Sequence, residues 1–247
     1  MDPARALAPL ETVVIETAFG RCGGTFARPE GEAWKSGVVV VGDADDDHLM
    51  TVCKDLASVG HAAIVLQLDL APLTEQIVLT PSAVSRLAQC TSTVAAALEF
   101  LRAAAPTAPT RYGAVGFGAG GLVSLAAGYR CQIGASVSFY AEGPMRLRAN
   151  LPQIFDRPKP QAAPLLCLVG ALEEVLPADL AAIRAHLGHF GMRETMVVYP
   201  RRKTGFCHPA SEAYRETEAG DAWGRLLRAL DTAPRQRHRF FSKSAAT

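Results

Sequence analysis

Val115-Gly116-Phe117-Gly118-Ala119-Gly120-Gly121 is the stretch on which the fold turns. The residues leading into it, 112–117 (YGAVGF), read as a buried strand, and residues 119–130 carry a small-residue helical pattern. A strand that passes through a few glycines into a helix is the βα turn of a parallel sheet. Glycine lets the two elements approach closely there. Gly116, Gly118 and Gly121 also fit the spacing G-x-G-x-x-G. Alone, that spacing is a weak sign of phosphate or dinucleotide binding, and no acidic residue follows a second strand at the distance a ribose contact needs.

Working outward, 37–42 (GVVVVG), 62–68 (AAIVLQL), 134–139 (GASVSF), 164–170 (PLLCLVG) and 195–199 (TMVVY) read as further strands. They are almost continuously apolar, as expected where helices cover both faces of a parallel sheet. Helical patterns occupy about 48–59, 82–105, 177–190 and 217–231, with Gly60 and Gly191 as C-terminal stops. A hairpin over about 12–28 adds antiparallel strands at one edge. The expectation is an α/β fold: one domain over residues 1–234, with a mostly parallel central sheet flanked by helices. A basic C-terminal tail over 235–247 follows (RQRHRFFSKSAAT from Arg235), expected to fray unless its phenylalanines dock.

The chain has 247 residues, 49% of them hydrophobic, and a net charge of +1. That is enough for one well-buried core, and the balanced charge makes nucleic acid no default partner. No apolar run approaches a membrane span, and the N-terminal MDPARALAPLETVV is too polar for a signal peptide. A cytoplasmic protein without membrane partners is expected. The six cysteines are scattered with no CxxC pair, which suits reduced core residues rather than a disulfide or zinc framework. Neither a metal nor a cofactor is expected; the oligomeric state is not legible.

In its strand–turn–helix setting, 116–120 matches the nucleophile elbow, G-x-nucleophile-x-G. The central position ordinarily carries Ser or Cys. Gly118 stands there, with no oxygen or sulfur to attack a carbonyl, so no acyl-enzyme can form at this position.

Several blocks in one order extend the match. GFGAGG is followed by the strand SVSFYAEG, then PLLCLVGALEEVLP, and then YPRRKTGF…YRETEAGDAW. Over roughly residues 12–231 the chain resembles the dienelactone hydrolase family, whose α/β-hydrolase fold carries a Cys-Asp-His triad. The last block is the most specific, because Tyr199-Pro200, Gly205-Phe206, Tyr214 and Asp221-Ala222-Trp223 fall in register without a gap. The resemblance implies a nucleophile at Gly118 and an acid at Glu173, or at Glu174 if the turn is shifted. It places the histidine at Thr204 and an acidic neighbour of the nucleophile at Asp43. Glu for Asp can still orient a base. Gly for Cys and Thr for His can act neither as nucleophile nor as base, which leaves the carboxylic-ester hydrolase activity of the family without its triad.

Other residues could carry chemistry. His208, beside Cys207, is a candidate substitute base if its loop reaches the site; otherwise it caps the turn before Pro209. The run Asp43-Ala44-Asp45-Asp46-Asp47-His48 offers carboxylates for a divalent cation, and equally ordinary acidic N-caps for the helix that follows. His186 and His189, near a helix end, are expected to meet terminal carbonyls. Arg201-Arg202-Lys203 could hold an anion or form a solvated loop. Trp223 and Tyr214 are read as packing. The backbone amides of Ala119 and Ala44 would form the oxyanion hole, which needs none of the lost side chains.

The leading expectation is a non-hydrolytic pseudoenzyme that binds a small carbonyl or anionic ligand, or a partner. The rival is a hydrolase, lyase, isomerase or cyclase using Asp43, Glu173 or His208. A third reading is an interaction subunit with a closed cleft. A cleft lined by Asp43, Glu142, Glu173, Arg201 and His208 favours the first two readings, whereas one filled by Phe117, Phe139, Tyr140 or Phe206 favours the third.

Overall fold

The computed structural model describes residues 9–42, 47–74, 78–105, 111–139, 144–155, 162–171, 177–202 and 205–235. The chain opens with a hairpin, β1 (Leu10–Thr17) and β2 (Gly20–Ala27), and then alternates. The strands are β3 (Ser36–Val41), β4 (His61–Leu66), β5 (Tyr112–Phe117), β6 (Ala135–Phe139), β7 (Leu165–Ala171) and β8 (Glu194–Pro200). Between them run α1 (Asp47–Ser58), α2 (Pro81–Ala104), α3 (Gly120–Arg130), α4 (Pro144–Ile154) and α5 (Pro177–His189), and α6 (Glu216–Asp231) closes the described chain.

Among the described residues the strands form one eight-stranded sheet, in the order β1-β2-β4-β3-β5-β6-β7-β8. β1 and β2 pair antiparallel, β2 joins β4 antiparallel, and every pair from β4 to β8 is parallel. This is the mostly parallel α/β sheet expected from the sequence. The central strands β3, β4, β5 and β6 are buried at every residue because helices cover both faces. Leu49, Val52, Cys53 and Leu56 of α1, with Ala222, Leu226 and Leu230 of α6, cover one face. On the other face lie Leu87, Val94, Leu98 and Leu101 of α2 and the wholly buried residues 120–129 of α3. Each fully buried Leu contributes roughly 1.5–3 kcal/mol.

Local signals set the helix ends. Thr80 accepts from the Ala83 amide at 3.3 Å with Pro81 in the first turn of α2. Gly60 and Gly191, at φ 95° and 76°, follow α1 and α5, as their positions predicted. Two elements are additions to the sequence reading: α4, and a short 3₁₀ turn at Ala71–Leu73. The proposed tail docking concerns residues 236–247, which lie outside the described residues.

Chain order reverses at β3, whose neighbours are β4 on one side and β5 on the other. In open α/β sheets the crevice outside the carboxyl ends at such a switch point is where ligands bind. Gly118 leaves β5 at that place.

Candidate functional site

The turn from β5 into α3 is built by contact. A Cβ on Gly116 would stand 1.9 Å from the Gly120 carbonyl oxygen, and one on Gly120 would stand 2.2 Å from that of Val41. Both positions therefore require glycine, and α3 starts directly against β3 and β5. Gly118 sits between them at φ 55°, the left-handed conformation that a sharp strand-to-helix turn imposes on its central residue. Among the described residues a Cβ there would meet nothing within 4 Å. The turn closes with Gly121 donating to the Gly118 carbonyl at 2.9 Å and Leu122 donating to that of Ala119 at 3.0 Å. The Ala119 amide precedes the helical ladder, where no intrahelical acceptor exists for it. The elbow frame is thus complete around a residue that carries no side chain.

Imidazoles stand beside this turn. The His48 ring, in the first turn of α1, lies 5.5 Å from the Phe117 ring and 4.7 Å from that of His208. His208 is half-buried, and its Nδ1 accepts the Ala210 amide at 3.1 Å. A backbone N–H can only donate, so Nδ1 holds its lone pair and the neutral ring carries its proton on Nε2. A triad histidine has the opposite arrangement, with Nδ1–H held and Nε2 open as the base. In the sequence His48 figured only as the end of an acidic run; its pairing with His208 is a tertiary fact. Cys207 is buried in the core on the α1 and α6 face.

Aromatic rings fill the core below. Phe117 and Phe139 stack at 4.5 Å, and Phe206, fully buried, lies 4.7 Å from Tyr199. Asp43, Ala44, Tyr140, Glu142, Glu173, Glu174, Lys203 and Thr204 lie outside the described residues. Of the residues expected to line an open cleft, Arg201 and His208 are described. Arg201 is exposed at φ 57°, where β8 ends. Arg202 is ion-paired with Glu218 of α6, its Nε 2.6 Å from the carboxylate, and the pairing draws the Glu218 carboxyl below its ordinary range. The sequence did not foretell that partner.

The register that marked the last block has a physical basis. Tyr199 donates to Asp221 Oδ2 at 2.7 Å, and Arg225 Nε donates to the same oxygen at 2.8 Å. Arg225, and secondarily Tyr199, hold the Asp221 carboxyl low. Burial, with the bond to Asp221, pushes the Tyr199 phenol far up. This bridge ties β8 to α6, the two elements that flank His208 in the chain.

All six cysteines are free. Burial drives the Cys90 and Cys167 thiols up to about 11 and about 12, so neither forms a thiolate near neutrality. His186 hydrogen-bonds the backbone of Leu151, in the last turn of α4, and its ring packs 4.9 Å from Phe190 and 5.8 Å from Phe155; burial, then nearby His189, lowers its pKa, and the Leu151 bond opposes them. Among the described residues no group of three or more His, Cys, Asp or Glu could hold a metal ion, and no helix is long and apolar enough to cross a membrane.

Similar folds are known. A Klebsiella pneumoniae protein assigned to the dienelactone hydrolases superposes with a TM-score of 0.67 at 19% identity, covering 92% of this chain and 100% of that one. A dienelactone hydrolase-like promiscuous phosphotriesterase from metagenomic libraries gives 0.65 at 19%, covering 91% and 98%. An esterase of Pyrobaculum calidifontis gives 0.59 at 18%, covering 92% and 87%. At these identities the likeness shows the α/β-hydrolase fold alone. No curated protein sequence matches the chain. The model of the dienelactone hydrolase family matches residues 23–233, and the chain belongs to that family.

Proposed function

We propose that this chain is a dienelactone-hydrolase-like protein that binds a small carbonyl or anionic compound at its elbow without triad hydrolysis. The observation that carries the reading is Gly118: the turn keeps the positive φ of a nucleophile elbow, and among the described residues nothing fills the space a nucleophile would occupy. A ligand oxygen placed there would meet the Ala119 amide at the head of α3, where backbone donors and the helix dipole favour developing or full negative charge. Glycine supplies no attacking atom, so binding does not proceed to an acyl-enzyme. Thr204, in the position the family gives its histidine, supplies no base.

A second reading is an enzyme that activates water with His208, Asp43 or Glu173. The adjacent His48 and His208 rings favour it by their position beside Phe117. The bond from Ala210 to His208 Nδ1 weighs against it, because it leaves the proton on the nitrogen that would have to act as base. The buried Phe117, Phe139 and Phe206 rings support the third reading, a closed interaction subunit, but they lie in the core and leave the Gly118 position open.

The test is a titration of the purified protein with a dienelactone, following the backbone amide resonances of residues 118–121 and the lactone itself. Saturable shifts with the lactone unchanged are expected. Lactone consumed faster than in buffer, or no shift at millimolar concentration, would overturn the reading.

A further inference from the structure

At the end of the sheet opposite Gly118, α6 stands over the first residues of β6, β7 and β8 and leaves a cavity of about 280 Å³. We propose that this cavity is a second binding site, for a small amphipathic monocarboxylate, independent of the elbow. Its existence does not rest on the function proposed above.

The size sets the first limit. Pockets for drug-sized ligands run from roughly 300 to 1,000 Å³, so this one suits a smaller body such as a single ring or a short aliphatic chain. The floor sets the second. Ala135, Leu165, Leu166, Ala229 and Ala233 give it an apolar surface, which favours a hydrocarbon body over a bare inorganic anion. Gly134 shapes one wall: a Cβ there would stand 2.6 Å from the Pro234 carbonyl oxygen, so glycine allows the chain after α6 to fold back against β6.

The rim sets the charge. Arg225 and Arg228 line the cavity from one face of α6, and among the described residues no Asp or Glu lines it. The Nε of Arg225 is committed to Asp221, which neutralises part of its charge and fixes its position. Arg228 is exposed and lies one helical turn further along. The α6 C-terminus would itself repel an anion, but the Arg228 carbonyl accepts from both the Thr232 amide and hydroxyl, and the Ala233 carbonyl accepts from Arg111 Nε at 3.0 Å. The local field is therefore cationic above an apolar floor, and a carboxylate on a hydrophobic body satisfies both. The segment after Arg235, itself rich in arginine, would meet like charge there and is a poor occupant.

The experiment uses the full chain and benzoate as the probe, with benzamide as the neutral isostere and inorganic phosphate as the bare anion. Backbone amide shifts of Ala135, Leu165, Ala229 and Thr232 report occupancy. Benzoate is expected to give saturable shifts at those residues, with benzamide and phosphate much weaker. Arg228→Gln is expected to weaken benzoate about fivefold or more, as loss of a charge-assisted hydrogen bond does, and Arg228→Lys to restore part of it. Arg228 is exposed, so neither variant threatens the fold. Absence of saturable shifts, equal binding of benzamide or phosphate, indifference to Arg228→Gln, or shifts centred on residues 118–121 would each overturn the proposal.

Discussion

The imidazoles of His48 and His208 lie 4.7 Å apart with their planes 33° from parallel, joining the first turn of α1 to the loop after β8 beside Phe117. The Ala210 amide on His208 Nδ1 then decides which nitrogen of that ring carries the proton. In a nitrogen-detected spectrum recorded at alkaline pH, His208 Nδ1 should resonate as an unprotonated ring nitrogen and Nε2 as a protonated one. The reverse assignment would restore His208 as a general base of the triad kind.

The glycines of the elbow are not equivalent. Gly116→Ala and Gly120→Ala each drive a methyl into backbone carbonyl oxygen, at 1.9 and 2.2 Å, and should cost on the order of 3 kcal/mol or more. Gly118→Ala meets no atom of the described residues within 4 Å and carries the left-handed backbone penalty, about 1–2 kcal/mol. Urea unfolding of the three variants should separate them in that order; equal losses would mean that the turn is not the tight contact described.

His61 makes folding sensitive to acid. It is 1% exposed, its Nδ1 lies 2.8 Å from Ser36 Oγ, and its Nε2 lies 3.6 Å from the half-exposed Asp231 carboxylate. Burial dominates, lowering its pKa from 6.5 to about 4; Asp231 opposes the shift and Lys35 adds to it. The unfolded chain takes up a proton below about 6.5 that the folded chain refuses until about 4. Stability is therefore full above that window and lost as pH falls through it, by about 3 kcal/mol at most. The urea midpoint should drop between pH 7.5 and 5, and His61→Gln should flatten that slope. A slope unchanged by the substitution would assign the acid sensitivity elsewhere.

Tyr199→Phe keeps the ring against Phe206 but removes the donor to Asp221, leaving that carboxylate with Arg225. A loss of about 1 kcal/mol is expected. In an alkaline spectrophotometric titration of the wild type, the Tyr199 phenol should ionise well above the ordinary range, beside a Tyr112 phenol that burial also raises, and the Tyr199 component alone should vanish in the variant.

The strands were legible because their apolar runs are continuous, and the elbow because Gly116 and Gly120 are required by backbone contact rather than by chemistry. α4 was not, since PMRLRANLPQI carries Pro152 and two arginines and shows no clean stripe. What holds α4 includes Asn150, which accepts the Leu79 amide at 2.8 Å across distant sequence. The same distance hid His48 from His208 and Arg202 from Glu218: each residue was visible, but its partner lies in another element. The Tyr199–Asp221 bridge showed in the sequence only as a spacing. The cavity under α6 has no sequence signature, because it arises from how one helix sits over three strand ends.

An elbow that keeps its turn and lacks a nucleophile is tested by turnover of activated esters and a dienelactone by the wild-type protein beside Gly118→Cys combined with Thr204→His. The expectation is a wild type indistinguishable from buffer, with activity gained in the double substitution. Wild-type turnover clearly above buffer would contradict it, and His208 and Asp43 would then be the residues to remove.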